Sequence, residues 1–530
     1  MVAETRRLTR REFLVATGAL AAVACSPAAP GASPSGTAGK AKYGGTVTMA
    51  LENDVVDFDP LKSRAFVDRN IYYQIYDSLV RVDEDGKIIP WLATKWDVAS
   101  DQKSVTFTLR DDVTFHDGTK FDADSVKWNI ERYIKTQGSQ RAGELASVAS
   151  VDVVNPTTVR FTLKSPFSPL LANLVDRAGM MISRKAFEAI PSADDFDRKA
   201  FKAGSGPFML TEAVKDDHIT LEKNPNWWGT DGGNKLPYLD KITIRPITSS
   251  DVRFTNLRTG DAHVANNIAG KDVPTAKSDS SLNYQEKPAY SFRSLIPNRA
   301  KGFVFEDARN VKAVSMAIDR QELLEKGYFN LGVVGYGTIA PKHFAYDPSF
   351  KPYEKADAAG AKALIQQVGK PLTFDLLIAS GDPVGLQLAQ LIQAQLKKAD
   401  ITMNIQQLEF AKILDLQSAH TFKDMAFTGW SGRVDPDGNT YDHVYTKRPF
   451  NDSSYSNADV DKFLDQERAT SDESARKTAF RSAEKIYVVD DPARVWLGFG
   501  AAQLLTSKKV KAPPVYPDQI VRYHLMSMAS

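Results

Sequence analysis

The sequence predicts an α/β protein built from more than one domain. Three observations predict it. The 530 residues exceed what one hydrophobic core supports. Helical apolar spacing alternates with period-two runs along the chain. The apolar fraction, 42%, is that of an ordinary globular protein. In chain order, 46–51 reads as a strand. Phe66, Ile71, Ile75 and Leu79 fall at helical spacing and predict a helix over 66–80. Asp85-Gly86, between 80–82 and 88–89, reads as a hairpin turn. Val105, Phe107 and Leu109 alternate with Thr106, Thr108 and Arg110, the pattern of a half-buried strand. Asp122 is placed to cap a helix over 123–134, and Asn155-Pro156 divides two short strands. Helices are expected over 311–318, 358–368, 384–398 and 473–488, with strands over 373–378, 401–405 and 495–499. Two or more sheets follow.

The first 24 residues have the layout of an export signal: a basic start, an apolar middle and a small-residue end. Arg10 and Arg11, followed by Phe13 and Leu14, resemble the twin-arginine type. Ala22-Val23-Ala24-Cys25 resembles the lipobox of bacterial lipoproteins, in which cleavage precedes the cysteine and its sulfur takes a diacylglyceryl group. Cys25 is the only cysteine, so disulfides and thiolate metal sites are excluded. The apolar middle is far shorter than the roughly 20 residues a spanning helix needs, so attachment through lipid alone is expected, with two acyl chains to hold it. Residues 25–42, rich in Pro, Ala, Gly and Ser, read as a flexible tether. The formal net charge of +2 resides in the signal, where Arg6, Arg7, Arg10 and Arg11 outnumber Glu4 and Glu12. The neutral remainder makes nucleic acid an unsuitable partner.

Chemistry-bearing motifs are few. Gly429-Trp430-Ser431-Gly432-Arg433 is one residue short of a nucleophile elbow, because Arg433 stands where the second glycine belongs. The seven histidines form no His-Glu-x-x-His pattern. Asp435-Pro436-Asp437-Gly438-Asn439 has its glycine too early for a calcium loop, with Thr446 where a bidentate Glu is needed. No phosphate-cradling glycine loop occurs. No enzymatic activity, cofactor or metal is expected. What stands out is that 429–439 gathers turn-formers, an aromatic, a cation and two carboxylates just after a short strand, where α/β sheets present ligand loops.

Several segments together carry a resemblance. They are Gly44-Gly45-Thr46 with Asp57-Phe58-Asp59-Pro60, then Ile75-Tyr76-Asp77-Ser78-Leu79, then Pro90-Trp91-Leu92-Ala93-Thr94-Lys95-Trp96 running on through Phe107-Thr108-Leu109-Arg110-Asp111-Asp112-Val113-Thr114-Phe115-His116-Asp117-Gly118 to Val126. On these the chain resembles the solute-binding proteins of bacterial peptide-type ABC importers, the oligopeptide, dipeptide and nickel receptors. The resemblance implies a two-lobed periplasmic-binding-protein fold of type II with an extra subdomain in the first lobe. Carried over, the signal is 1–24, the tether 25–42, the first lobe 43–292 plus 499–530 with its subdomain near 90–203, and the second lobe 293–498. Crossovers are expected near 292–297 and 497–501. It implies a monomeric receptor that encloses a peptide or peptide-like solute and delivers it to ABC permease subunits. An oligosaccharide or opine-type solute, or a non-transport role as chaperone or sensor, are the alternatives.

The resemblance also implies ligand contacts from Asn53, Asp54 and Phe58 after the first strand, from Tyr76, and from Trp430, Arg433, Asp435 and Asp437. In the peptide receptors the matching loop has Gly-Trp and then an acidic residue that holds the ligand's amino terminus, and here that position is taken by Arg433. Arg433 cannot do that, but it can take a carboxylate in a forked geometry, so a carboxylate-bearing solute is expected. Two readings stay open: Arg433 meets the ligand, or it pairs with Asp435 or Asp437 and shapes its loop. The arginine that dipeptide receptors place before the helix starting near Val384 is replaced by Ala379-Ser380-Gly381-Asp382. Nickel capture would need histidine at the cleft, where His443 is the nearest in sequence.

Overall fold

The computed structural model describes residues 42–63, 65–192, 202–380, 382–448 and 450–529. Arg10, Arg11, Cys25, the export signal and the tether up to 41 lie outside the described residues. The principal strands are β1 (Thr46–Leu51), β2 (Ala93–Val98), β3 (Ser104–Leu109), β4 (Val148–Asn155), β5 (Thr158–Leu163), β6 (Phe208–Val214), β7 (His218–Lys223), β8 (Lys241–Pro246), β9 (Val264–Ala265), β10 (Leu282–Pro297), β11 (Val333–Val334), β12 (Thr373–Ala379), β13 (Thr402–Leu408), β14 (Met425–Trp430) and β15 (Val495–Ser507).

Local rules account for many of these elements. In β3, Val105, Phe107 and Leu109 are buried and the intervening residues half-buried, as strict alternation requires. Asp122 accepts the Ser125 N–H at 2.9 Å and starts the helix Ala123–Lys135, which buries Val126, Ile130 and Tyr133. Val80–Val82 pairs with Ile88–Pro90 around Gly86, whose φ of +87° is a glycine conformation. The expected helix over 66–80 is shorter, Phe66–Ile75. Tyr76 is already extended, and Asp77 is buried with Trp91, Trp227, Trp228 and Ser205 all donating to its carboxylate. Those tertiary bonds, which no local signal announces, end the helix there.

Among the described residues, one sheet of eleven strands runs β13-β12-β14-β10-β15-β9-β1-β8-β7-β6, with β11 added beside β15. A separate antiparallel sheet, β2-β3-β5-β4, has its own core of residues such as Leu92, Phe107, Phe121, Ile130 and Phe161. Residues 42–530 form one unit. The expected boundary between lobes falls inside β10 and β15, because these two long strands pair from Leu282↔Ser507 to Leu295↔Val495 and belong to both halves of the sheet. Only the first part of β15 was expected; it runs on to Ser507 because β10 satisfies its backbone along most of its length.

The ladder between β10 and β15 shifts register twice, between Arg293 and Ser294 and, more widely, between Pro288 and Phe292. Pro288 faces Ala501 and Phe292 faces Phe499, so Ala289, Tyr290 and Ser291 lie opposite Gly500 alone. This bulge releases the Tyr290 backbone from the sheet. Its N–H donates to Pro517 O at 3.3 Å, and its C=O accepts from the Asn439 side chain at 3.0 Å. No helix among the described residues is long and apolar enough to cross a membrane.

Candidate functional site

The bulge forms one wall of a cavity of about 490 Å³. Ser291, Phe292 and Arg293 of β10 line it with Leu497–Ala501 of β15 and the end of β14; Phe66, Asn267 and Gln519 reach it from the other half of the sheet. Glycine makes this arrangement possible. A Cβ on Gly500 would sit 2.6 Å from Ser291 Oγ. Gly432 has φ +81°, and a Cβ there would fall onto the Tyr290 carbonyl. The turn after β14 is therefore pressed against the bulge in a way only glycine permits.

Trp430, the last residue of β14, lines the cavity. Its indole N–H donates to Asn439 Oδ1 at 3.1 Å, and the same oxygen accepts the Arg433 N–H at 2.8 Å. The Asn439 amide donates to Tyr290 O and Thr338 O. Asn439 is fully buried and uses its whole hydrogen-bonding capacity to tie this turn to β10. His343 accepts the Ala340 N–H at Nδ1, so Nε2 carries the proton and donates to Arg433 O at 2.8 Å. Burial holds its pKa down to about 4, so it stays neutral. His443 stands edge-on behind Trp430 at 4.6 Å, and burial pushes its pKa well below the ordinary value.

Of the eight residues the resemblance implied at the ligand, only Trp430 lines this cavity. Phe58 and Tyr76 are buried in the core under β1, and the Tyr76 hydroxyl donates to Phe58 O at 2.8 Å. Asn53 is exposed. The Asp54 carboxylate accepts the Val55 and Asp216 N–H groups. Asp435 caps the helix Pro436–Val444 and takes Arg476 in a fork, both bonds 2.8 Å. Asp437 takes Arg468 at 2.6 and 3.0 Å. Burial opposes ionisation of Asp437, but Arg468 outweighs it and keeps the carboxyl below its usual range. Next to them burial, then Asp437, push the Glu467 carboxyl far up, while Arg476, which donates to it, opposes the shift. Arg433 pairs with neither aspartate. Its guanidinium donates to Gly432 O at 2.8 Å and lies 4.5 Å from the Trp430 ring centre.

Several lining residues carry no motif. Arg293, Tyr328, Asn267 and Gln519 all face the cavity. Asn267 and Gln519 have φ of +51° and +66°, and left-handed backbone at non-glycine residues gathers at functional sites. Arg293 lies in the segment 292–297 where a crossover was expected, but no motif marks it. Among the described residues no group of three metal-ligating side chains occurs.

A profile for bacterial extracellular solute-binding proteins, family 5 (middle region), matches residues 87–452. The chain is 30% identical over 498 residues to a probable D,D-dipeptide-binding periplasmic protein, DdpA, of Escherichia coli K12, covering 90% of this chain and 94% of that protein. It is 26% identical over 486 residues to the glutathione-binding protein GsiB of Salmonella paratyphi A, covering 89% and 92%. Among solved structures, the periplasmic binding protein DppA of Helicobacter pylori in complex with the peptide STSA superposes with a TM-score of 0.80 at 26% identity, covering 92% of this chain and 99% of that one. AppA of Bacillus subtilis, in complex with a nonapeptide, superposes with the same score at 22% identity, covering 93% and 100%. The mixed α/β architecture is thus that of the two-lobed periplasmic binding proteins.

Proposed function

The chain belongs to family 5 of the bacterial extracellular solute-binding proteins, and from that premise we propose that it captures a peptide or peptide-like solute in the cavity beside the bulge and delivers it to the permease of an ABC importer. The observation that carries this reading is the cavity itself: about 490 Å³, at the crossing of β10 and β15, with one indole and a few placed polar groups on otherwise apolar walls. The matched relatives include a dipeptide receptor and a glutathione receptor by name, which supports a solute of that size. No covalent step is involved; the solute leaves as it arrived.

Closure is a hinge motion of a first lobe, 43–292 with 499–530, against a second, 293–498. The bulge of β10 is where its dihedral change is absorbed. A solute acts by preferring the closed state. For Arg433, loop shaping is the better-supported role, since its guanidinium is engaged by its own turn and by Trp430. The protein is exported by the twin-arginine route through Arg10 and Arg11, is lipidated at Cys25, and works as a monomer on the outer face of the cytoplasmic membrane.

Thermal melting of the purified chain against a peptide panel tests the central claim. A solute present at about 100 times its Kd adds roughly 2.7 kcal/mol. Panels that leave the melt unchanged, or chemical turnover of a bound peptide, refute it. Cys25→Ala should release the protein from the membrane fraction, and Arg10→Lys with Arg11→Lys should block its export.

A further inference from the structure

The charges around the cavity do not balance. Among its described lining residues there is no Asp or Glu, and there are two arginines. Arg320 is spent. Its guanidinium donates to the backbone carbonyls of Trp496, Ser315 and Ile318 and lies over Tyr353. Arg293 is not spent. Its guanidinium lies beside the rings of Tyr328 and Phe427, at 5.5 and 5.9 Å, and no carboxylate among the described residues forms an ion pair with it. Its stem passes Gly429, where a Cβ would stand 3.5 Å from Arg293 Cγ. The Tyr328 hydroxyl next to it is buried without a well-formed hydrogen bond. A half-buried cation and a buried hydroxyl within its reach together face a cavity whose described lining has no carboxylate.

We propose that Arg293 is the anion anchor of this cavity, and that the solute is a net-negative, carboxylate-bearing molecule whose carboxylate takes the Arg293 guanidinium in a forked geometry. Such a pair is directional and strong where water is excluded. The same walls offer no acid to an ammonium, so a free amino terminus is either blocked or turned away from Arg293. Aromatic faces that hold the guanidinium without neutralising it keep it available. The inference deepens the reading above, since it rests on the cavity taking a solute, and it gives the expected carboxylate recognition to Arg293.

The test is equilibrium dialysis of the full chain against a pancreatic casein digest, half of it methyl-esterified at its carboxyl groups, with the retained components weighed by mass spectrometry. Wild-type protein should retain acids and reject esters. Arg293→Met should lose at least tenfold in retention, and Arg293→Lys, which keeps the charge but not the fork, should fall between. Circular dichroism confirms that both variants fold. Esters retained as well as acids, or Arg293→Met retaining as much as wild type, overturns the proposal. If no peptide is retained in either form, the peptide reading fails instead, and the same dialysis with gluconate against sorbitol decides the anchor. Gluconate alone retained, and lost in Arg293→Met, upholds it; sorbitol retained, or neither, overturns it.

Discussion

Two cavities meet at Phe499 and Val334. The larger, about 490 Å³, has two arginines and no acid among its described lining residues. The smaller, about 330 Å³, is lined by Asp347, Glu354, Glu484 and Lys351. In the smaller one the acids are already compensated: Arg481 faces Asp347 at 3.3 Å, Lys351 faces Glu354 at 3.3 Å, and Glu484 carries a proton because burial pushes its carboxyl up to about 8. In the larger one Arg293 has no such partner. Charge near a cavity is therefore a poor sign of recognition; charge that nothing in the protein neutralises is a better one. Asp435 and Asp437 stand on the wrong side of that distinction, because Arg476 and Arg468 hold them.

The comparison is broken most directly at its shared wall. Phe499 is 4% exposed, and Phe499→Ala should cost about 3–5 kcal/mol in urea unfolding while merging the two spaces. A variant of unchanged stability would mean that the ring separates nothing. Next, Asn439→Ala strands the Trp430 and Arg433 donors and the Tyr290 and Thr338 carbonyls, and should cost about 2–3 kcal/mol. If the wall holding the larger cavity is as rigid as its bonds suggest, solute affinity falls with stability.

Glu484→Gln sharpens the other side. The folded carboxyl titrates near 8, whereas the unfolded chain releases that proton in the ordinary carboxyl range. Wild-type stability therefore declines as pH rises through that window, and the full cost is present only above it. The glutamine variant should melt higher than wild type at pH 8.5, by on the order of 2 kcal/mol, and no higher at pH 4. Equal melting at both would show that Glu484 is ionised in the fold. The smallest effect is expected at Lys342, whose exposed pairing with Asp85 at 3.2 Å ties the Asp85-Gly86 turn to the segment bounding the acidic cavity. Lys342→Ala should change stability by no more than about 0.5 kcal/mol.

The sequence made local structure plain where local physics decides it. Asp122 capping its helix, Gly86 turning its hairpin and the alternation of β3 are all short-range facts. The helix ending at Ile75 was not legible, because Asp77 is held by tryptophans far along the chain. The resemblance placed a crossover near 292–297, inside β10, but the strand's full extent from Leu282 was not legible, since it depends on a partner some two hundred residues later. The site divides the same way. Trp430 was readable from the strand end and glycines around it. Arg293 was not, because an isolated arginine in a strand looks the same whether or not an acid will come to meet it. Phe58 and Tyr76 look like ligand residues only by family position; in this chain their side chains are core.

The seven tryptophans are Trp91, Trp96, Trp128, Trp227, Trp228, Trp430 and Trp496, and three of them are drawn to one carboxylate at Asp77. Trp430 alone lines the larger cavity. The protein thus carries its own optical gauge. Of its emitters, the one placed to report the filling of that cavity directly is Trp430.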